Sequence, residues 1–487
     1  MRLSVVLFAL CVMAGIARAQ PVPGSELSED PEAVSRSRES VGAPGFGPLI
    51  VIETIAIRGN TATADDLIRD ALPFAPGDKV RVGDPRFETA RFKILALGYF
   101  RDAQLSLEKG SARGKVIVVV DVKERGTILL RKLYLGTSAH APVWVGFDLT
   151  ERNFLGTGVG VGGQLAHAAE GQISGSTPQW SAKVRLRKPA LFGTRLGAGL
   201  SIYHVSASEP YRVLGDPESA DPDNFRAFSY RRTGARAGVG FDLAALARVF
   251  VLARAEHIDS DVPAMPVRTF AGGAKAPIDL FLAPDESHIV SLGFGFDHDT
   301  RTHPVLPTSG RRLIAYGEIA ADAIGSSYDY TKLLLRYERW WSLGSPAHVL
   351  SAHLKGGAVF GDPPRFERIY IGDINRLLTP RAAGLVVAAR PPPALLSGGD
   401  LDLSYGELFS TAAVEYSQRL FRKEHWIYGG DVFVGAGGWM LAANRSQPSA
   451  LSPESAFGAW IDIGIRLDTE IGIFELSLAN ALGRIAY

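Results

Sequence analysis

Apolar and polar residues alternate along residues 125–487 in segments of about ten residues. In one such segment, Leu333 and Leu335 fall between the charged residues Lys332 and Arg336. Successive side chains of a β-strand point to opposite faces, so this alternation predicts strands with one apolar and one polar face. The pattern is clearest in four segments, which are 180–187, 331–338, 408–420 and 459–467.

Soluble sandwiches and membrane barrels both contain such strands. A sandwich turns its charged faces to bulk water, whereas a membrane barrel turns its apolar face to lipid and its polar face to a wet lumen. The chain holds 52 basic and 51 acidic residues, and its 53 glycines among 487 residues suit many strands and tight turns. Tyr328, Tyr330, Trp340 and Trp341 flank one segment at a spacing typical of interfacial aromatics. We therefore predict a mostly β chain with a transmembrane antiparallel β-barrel over 125–487.

The number of strands bears on how this barrel closes. Fifteen strands can be counted by residue 482, and only five residues follow, ending at Tyr487. Single-chain bacterial barrels normally have an even number of strands, so about sixteen are expected. Three possibilities stay open: a sixteenth strand, a closure in which the first and last strands run parallel, or a weak seam suited to lateral release of a client.

The N-terminus has the features of a secretory signal peptide. A positively charged start precedes an apolar stretch over 3–16, and Ala-Arg-Ala at 17–19 is a small-x-small cleavage site. We predict that residues 1–19 are removed, and Cys11, the single cysteine, would leave with them. Residues 20–48 are rich in proline, glycine, serine and charge, which predicts a flexible linker.

A small α/β unit is predicted over residues 49–124. Alternating isoleucines mark its first strand, and Thr63 followed by Asp66 resembles the capping box of a first helix. Asp84 is a helix N-cap with Pro85 at the first helical position. Two further alternating segments complete the unit, so the predicted order is β-α-α-β-β.

This unit resembles a POTRA domain. The resemblance rests on an Ile-x-Ile-x-Gly-Asn turn after the first strand, a Gly-Asp after the first helix and a Gly-Tyr-Phe after the second. It implies a periplasmic domain that offers a strand edge to unfolded outer-membrane or secreted polypeptides. The landmark residues are Gly59, Asn60, Gly77, Gly98, Tyr99 and Phe100.

The barrel, taken together with this domain, resembles the BamA/TamA family of outer-membrane assembly and translocation barrels. Six segments carry the resemblance in the family's order: 153–158, 188–194, 299–313, 366–384, 433–439 and 464–479. The resemblance implies a long lumenal loop over 361–406, whose candidate residues are Gly372, Asp373, Asn375, Arg376 and Arg381. It also implies a barrel-wall motif at Asp299, Arg301, Asp431, Gly435 and Gly437. Outer-membrane lipid and an accessory envelope protein are further implied partners.

The chain departs from the family at the tip of this loop. The family's tip is Arg-Gly-Phe or Arg-Gly-Tyr, and its arginine meets an aspartate of a Phe-x-Asp-x-Gly motif in the barrel wall. When this chain is aligned with the family on Gly372 and Asn375, the tip is Leu-Thr-Pro at 378–380. When it is aligned on Phe433 and Gly437, the position of the aspartate is occupied by Gly435. Losing both partners together avoids an uncompensated lumenal charge. Arg376 and Arg381 are alternative partners for Asp431.

The sequence gives little support to catalytic or metal chemistry. Asp297, His298, Asp299 and His303 are close in sequence, but they fit a strand end and a turn better than a metal site. The sequence contains no Gly-x-Ser-x-Gly elbow and no phosphate-binding loop, so we predict no catalytic residue, metal or cofactor. The balanced charge also argues against a nucleic-acid partner.

Two functions fit these observations. The first is non-enzymatic insertion of outer-membrane proteins or translocation of polypeptides, with a periplasmic POTRA domain that receives unfolded clients. The second is a structural or channel-like outer-membrane barrel whose POTRA domain docks an envelope partner. The POTRA domain and the turn motifs favour the first function, and the missing Arg–Asp pair favours the second.

Overall fold

The computed structural model describes residues 46–482, with gaps at 138–139, 192–193, 216–220, 245–246, 271, 303–305, 371–380, 388–404, 424–425, 444–454 and 470. The predicted signal peptide and most of the predicted linker lie outside these residues. A small α/β domain is followed along the chain by a large antiparallel sheet. The described residues contain no helix of the length and apolarity needed to cross a membrane.

The N-terminal domain consists of two helices and a four-stranded sheet. Its elements are β1 (Phe46–Arg58), α1 (Asp65–Asp70), β2 (Lys79–Val82), α2 (Pro85–Ala96), β3 (Phe100–Lys109) and β4 (Lys115–Glu124). The strand order is β2-β1-β4-β3, and the central strands β1 and β4 run parallel. The predicted cap of α2 is confirmed, because the Asp84 carboxylate accepts a hydrogen bond from the Arg86 backbone N–H at 3.0 Å. Ile52, Ile68 and Ile94 are fully buried in the core of this domain.

Parts of this domain differ from the prediction. The short strand β2 is an addition to the predicted order, and β1 begins at Phe46, inside the predicted linker. The predicted capping box is wrong, because α1 is capped at Ala64 without a side-chain hydrogen bond. The Thr63 hydroxyl instead accepts a hydrogen bond from the Asn153 side chain at 2.9 Å. This hydroxyl therefore joins the domain to the large sheet and does not cap a helix.

Fifteen strands follow one another in the large sheet, each pairing antiparallel with the next one along this list, and the short strand at Ile369–Tyr370 also pairs with the strand at Tyr405–Arg422. They are β5 (Ile128–Gly136), β6 (Trp144–Phe154), β7 (Val159–Ala168), β8 (Gln179–Lys188), β9 (Leu196–Arg212), β10 (Phe225–Ala244), β11 (Ala247–Asp261), β14 (Asp285–Asp299), β15 (Gly310–Ala320), β16 (Tyr330–Leu343), β17 (Ser345–Gly361), β21 (Tyr405–Arg422), β22 (Ile427–Ala443), β23 (Ser455–Thr469) and β24 (Gly472–Leu482). The connections between them contain the short strands β12 (Val267–Thr269), β13 (Lys275–Pro277), β18 (Ile369–Tyr370), β19 (Arg381–Ala382) and β20 (Leu385–Val386).

The two faces of this sheet follow the alternation in the sequence. On β16, Leu333 and Leu335 are about half exposed on the outer face, whereas Lys332 and Glu338 are buried on the inner face. The same division holds on β23, where the isoleucines point outward and Asp462 is buried. The sheet therefore curls into a nearly closed barrel with an apolar outside and a charged lumen, as the sequence predicts.

Three of the four aromatic residues around β16 do not occupy the predicted interfacial positions. Tyr328 and Tyr330 are buried inside the barrel, where the Tyr330 hydroxyl donates a hydrogen bond to the Glu318 carboxylate at 3.2 Å. Trp340 is separated from Tyr330 by an even number of positions and shares its inward face. Trp341 alone of the four is exposed on the outer face. Because neighbouring residues of a strand face opposite sides, the two tryptophans cannot both meet lipid.

The edge strands β5 and β24 meet at a seam. Among the described residues, one backbone hydrogen bond joins its two sides, from the Leu130 N–H to the Ile471 carbonyl at 3.0 Å. The neighbouring pair β23–β24 is instead in register along the whole of β24. The fifteen strands counted by residue 482 are confirmed, and this odd number makes β5 and β24 run in the same direction. Residues 483–487, in which a sixteenth strand was one possibility, lie outside the described residues.

The two ends of the barrel differ in their connections. At the end beside the N-terminal domain, here the proximal end, Gly344 alone joins β16 to β17. At the opposite, distal end, residues 362–404 join β17 to β21, in agreement with the predicted long loop. Buried side chains of this connection share one hydrophobic core with inward-facing strand residues, including Phe366, Leu385, Val387, Tyr230 and Ile258. The distal lumen is therefore packed with side chains.

Candidate functional site

The distal connection enters the lumen as a short buried segment, residues 365–368, which we call the lumenal segment. It contains one turn of 3-10 helix, Arg365–Glu367. The exposed fractions of its four residues lie between 2% and 7%. Charged groups buried to this extent require partners of opposite charge.

The Glu367 carboxylate lies among three cations of the barrel wall. One of its oxygens forms an ion pair with the Lys332 ammonium group on β16. The other lies 2.9 Å from Arg254 Nη2 on β11 and 3.8 Å from Arg232 Nη2 on β10. Three separate strands therefore hold a single carboxylate of the lumenal segment.

Two wall carboxylates complete this charge cluster. Glu256 forms an ion pair with Arg232 and accepts a hydrogen bond from Arg254 Nε at 2.9 Å. Glu318 on β15 lies 3.3 Å from Arg254 Nη1. The cluster thus combines three cations with three carboxylates and has a formal charge of zero. Its members are Arg232, Arg254, Lys332, Glu256, Glu318 and Glu367.

Arg365 contacts the wall through a second ion pair of opposite polarity. Its Nε lies 3.2 Å from a Glu209 carboxylate oxygen on β9, and its Nη2 donates a hydrogen bond to the Pro210 carbonyl at 2.8 Å. Phe366, between the two charged residues, packs its ring 3.6 Å below the guanidinium group of Arg232. Consecutive side chains of the lumenal segment therefore bind different wall strands.

The returning part of the connection is fixed to the wall by a side-chain amide. Gln179 on β8 donates a hydrogen bond to the Val386 carbonyl at 2.8 Å and accepts one from the Val386 N–H at 3.0 Å. Leu385 and Val387 on either side are fully buried. Gln179 and Glu367 are not among the residues that the sequence predicted for a site. The Arg-Phe-Glu-Arg sequence of the lumenal segment is an available signal, since such dense charge is rare in a buried turn.

Of the predicted residues of the loop, only the backbone of Arg381 lies within the described part of the chain. Arg381 begins β19, which pairs with β20. Asp431, considered as a partner of the loop arginines, lies 2.8 Å from Arg419 on the neighbouring strand β21. The other candidates lie outside the described residues, and they are Gly372, Asp373, Asn375 and Arg376.

The predicted wall residues at the proximal end of β14 form ion pairs. Arg301 Nη2 lies 2.7 Å from Asp299 Oδ2, and the Arg301 backbone N–H donates to the same carboxylate at 3.0 Å. Asp297 pairs with Arg312 Nη2 on β15 at 2.9 Å. Asp297 and Asp299, the two carboxylates considered for a metal site in the sequence, therefore each form an ion pair with an arginine.

Gly435 and Gly437 on β22 make room for large side chains of β23. A Cβ atom at Gly435 would overlap the Asp462 carboxylate, and one at Gly437 would overlap the Trp460 ring. Asp462 lies directly opposite Gly435 in the ladder and is buried. At this level of the wall the buried carboxylate therefore belongs to β23. Asp462 was not a predicted site residue, although the alternation along this strand places its charge on the inward face.

The N-terminal domain contacts the barrel at the turn between β6 and β7. Besides its bond to Thr63, the Asn153 side chain accepts a hydrogen bond from the Gly158 N–H at 2.8 Å. The Ala64 N–H donates to the Gly156 carbonyl at 3.1 Å. A Cβ atom at Gly156 would overlap the Ala62 carbonyl oxygen, so the close approach requires glycine. This contact, the junction, lies next to β5 and hence to the seam.

Glu124, the last residue of β4, orders the loop that forms the junction. Its carboxylate accepts hydrogen bonds from the backbone N–H groups of Thr61, Ala62 and Thr63 at 2.7 to 3.0 Å. Burial raises the pKa of this carboxyl, but the bonds from Thr61 and Thr63 outweigh burial and lower the pKa to about 2. The negative charge of Glu124 therefore stabilises the junction loop.

The predicted landmarks of the N-terminal domain occupy its turns and core. Gly59 has a φ of 88°, and a Cβ atom there would overlap the Val122 carbonyl oxygen. Gly98 ends the second helix at a φ of 78°, and Tyr99 and Phe100 after it are buried in the core. Asn60 donates to the Thr63 carbonyl at 2.9 Å. Gly77, with a φ of 97°, donates its backbone N–H to the Ile52 carbonyl at 2.7 Å.

These features define a class of protein, an outer-membrane β-barrel with a distal loop folded into its lumen and a POTRA domain at its proximal end. The chain belongs to the Omp85 superfamily. The model of the Omp85 superfamily domain matches residues 153–487, and a POTRA model described as surface antigen variable number repeat matches residues 50–125. The predicted resemblance is therefore confirmed.

Several known proteins are similar to this chain in sequence or in fold, at low sequence identity. The outer membrane protein assembly factor BamA of Nitratidesulfovibrio vulgaris is 35% identical over 86 residues, or 17% of this chain and 11% of that protein. The matched region thus spans about a tenth of that curated relative. The crystal structure of BamA from Haemophilus ducreyi lacking POTRA domains 1-3 has a TM-score of 0.50 at 16% identity, over 91% of this chain and 82% of that one. CdiB from Escherichia coli has a TM-score of 0.52 at 9% identity, over 93% and 96%. These structural likenesses concern the fold.

Proposed function

We propose that this protein inserts outer-membrane proteins or translocates polypeptides across the outer membrane, without enzymatic chemistry. The observation that carries this proposal is the seam, where among the described residues one backbone hydrogen bond joins β5 to Ile471, the residue before β24. Unpaired N–H and C=O groups of a strand edge are costly in lipid because no water can bind them. A client strand that paired at the seam would satisfy these groups, so client folding would supply the driving force.

The POTRA domain would lie in the periplasm and receive unfolded clients. Strand β3 is an outer strand of its sheet, and such an edge accepts an extended peptide by β-augmentation. The junction holds this domain against the turn between β6 and β7, one strand away from the seam. A polypeptide bound at the domain would thus be delivered close to the strand edges of β5 and β24.

A channel-like or purely structural barrel is the alternative. In the distal lumen, however, Phe366, Leu385 and Val387 pack into one core with inward-facing wall residues. Ions would have to displace these side chains before they could pass. The packed lumen therefore favours insertion or translocation over a permanently open channel.

The seam can be tested by locking it. The predicted mature chain has no cysteine, so Leu130→Cys with Ile471→Cys would place one pair where the backbones hydrogen-bond at 3.0 Å. A matched control pair, Ala235→Cys with Ala255→Cys, bridges β10 and β11, which are paired along their lengths. In cells that depend on the variant, we expect the oxidised seam pair to deplete defined surface or secreted proteins and a reductant to restore them. Levels equal to those of the oxidised control would contradict the proposal.

A further inference from the structure

We propose that Arg311 and Arg339, here the arginine pair, form a binding site for the headgroup phosphate of an anionic phospholipid on the outer face of the barrel near its proximal end. The site goes beyond insertion or translocation of polypeptides, because its ligand is a lipid and it can be tested without any client. Only the assignment of this end to the periplasmic leaflet of the membrane rests on the proposed function.

The register of β15 and β16 places the arginine pair side by side. Arg311 lies directly opposite Arg339 in the ladder, and both residues are exposed. Their neighbours Arg312 and Glu338 are buried on the lumenal face, so the arginine pair points outward, since successive residues of a strand face opposite sides. Like charges at directly opposite positions destabilise a sheet. An anion bound between the two guanidinium groups would remove this repulsion.

The protein itself does not supply this anion within the described residues. There, neither arginine of the pair forms an ion pair with a carboxylate, whereas the neighbouring Arg312 lies 2.9 Å from Asp297 in the lumen. The sequence gives the reason, because residues 300–317 and 339–361 contain no aspartate or glutamate. The lumenal arginine is therefore neutralised by the protein, and the outward pair is available to a ligand.

The depth of the arginine pair favours a lipid as this ligand. Trp341 is exposed on the outer face and lies at one level of the sheet with Leu350 and Tyr416. This level is two residues closer to the proximal end than the arginine pair, and on the other side of the pair the outer face continues with apolar residues such as Leu335. Tryptophan and tyrosine mark the level of the lipid headgroups. The arginine pair thus lies on the membrane side of an aromatic row, where headgroup phosphates are the anions within reach.

The side chains of the arginine pair suit a phosphodiester. A guanidinium group presents N–H donors in a planar fork that matches two phosphate oxygens. The Arg339 guanidinium also lies 5.3 Å from the centre of the Trp341 ring, a cation–π contact that orients it on the outer face. Because two cations face one ligand, phosphatidylglycerol, which has a net negative charge, should bind more tightly than zwitterionic phosphatidylethanolamine.

Native mass spectrometry of the purified full-length protein in detergent, titrated with either of these two lipids, tests the site. We expect the wild type to bind its first phosphatidylglycerol more tightly than phosphatidylethanolamine. Arg311→Gln and Arg339→Gln should each weaken phosphatidylglycerol binding about fivefold, and the double variant should lose the preference between the lipids. Arg231→Gln is the matched control, since it removes an exposed arginine that pairs with Asp259 on the neighbouring strand. This control should bind both lipids like the wild type.

A charge reversal gives a second variant in which the ladder is not weakened. Arg311→Glu places a carboxylate opposite Arg339, so the two residues can form a cross-strand ion pair in place of the bound phosphate. The preference for phosphatidylglycerol should disappear, and heat-modifiable migration in gels verifies that the barrel is folded. An excess of inorganic phosphate should leave phosphatidylglycerol bound, because the acyl chains of the lipid also contact the apolar outer face.

Four results would overturn the lipid site. They are equal wild-type affinities for the two lipids, wild-type binding in the folded double variant or in Arg311→Glu, an equal loss in Arg231→Gln, and displacement of the lipid by inorganic phosphate. The outcome for the proposed function is separate. Phosphatidylglycerol binding that depends on the arginine pair, without any affected client in depleted cells, would keep the lipid site and reject insertion or translocation.

Discussion

Replacing Glu124 by glutamine should loosen the loop through which the POTRA domain meets the barrel. The carboxylate accepts hydrogen bonds from the backbone N–H groups of residues 61–63 and from the Thr61 hydroxyl, the last at 2.6 Å. The same loop presents the Thr63 hydroxyl to Asn153. Glutamine keeps the size of the side chain and one acceptor oxygen but loses the negative charge.

The magnitude follows from the lowered pKa of Glu124. A fall from the ordinary value of 4.5 to about 2 corresponds to about 3 kcal/mol of stabilisation of the charged form. Glu124 is only partly buried, so screening by solvent reduces this to about 1–2 kcal/mol. A loss of about 1.4 kcal/mol raises the local opening equilibrium about tenfold.

Hydrogen–deuterium exchange of the full-length protein measures this opening. At neutral pH, we expect the amides of residues 61–63 to exchange about tenfold faster in Glu124→Gln than in the wild type. Because the folded-state pKa is the lower one, the contribution is complete above a pH of about 4.5 and disappears as the pH falls towards 2. Protection in the wild type should therefore approach that of the variant over this range.

Glu108→Gln is the matched control for this experiment. Glu108 forms an ion pair with Arg58 at 3.0 Å, but both side chains are about half exposed. Such surface pairs contribute little to stability, so protection of residues 61–63 should not change. Equal protection in Glu124→Gln and the wild type, or equal losses in both variants, would refute the reasoning.

Two further substitutions test the junction and the wall. Asn153→Ala removes the hydrogen bond to Thr63 and leaves buried polar groups without this partner, at a cost of about 1–3 kcal/mol of stability. The distribution of spin-label distances between the POTRA domain and the barrel should therefore broaden. An unchanged distribution would contradict the role of Asn153 in the junction. Gly435→Ala places a Cβ atom against Asp462, so the melting temperature of the folded barrel should fall, whereas Gly163→Ala, with open space at its Cβ position, should leave it unchanged.

Much of the barrel could be predicted from sequence because its strands face two different solvents. Lipid outside and charged lumen inside impose a period of two on every strand, so alternation alone located the segments at 331–338 and 459–467. The same period also explains the error at Tyr330, because an aromatic residue near a strand end suits a membrane interface or a packed lumen equally well. Only its inward register, with a hydroxyl bond to Glu318, decides between them.

The charged contacts of the lumen could not be predicted because their partners are distant in sequence. Glu367 meets cations on three strands, and Gln179 binds the backbone of Val386 from more than two hundred residues away. A hydroxyl such as that of Thr63 has a local use as a helix cap and a distant use as a hydrogen-bond acceptor, and sequence favours the local one. The sequence predicts the loss of the tip arginine, but it did not predict that the charged lumenal segment contacts the wall.

Quantitative outer-membrane and secreted proteomics after depletion of this protein tests the central claim most directly. Insertion or translocation predicts that a defined set of surface or secreted proteins disappears or accumulates in the periplasm, and the affected set identifies the clients. Re-expression of the wild type should restore them, and the oxidised seam-locked variant should not. Unchanged levels of envelope and secreted proteins after depletion would contradict the proposed function.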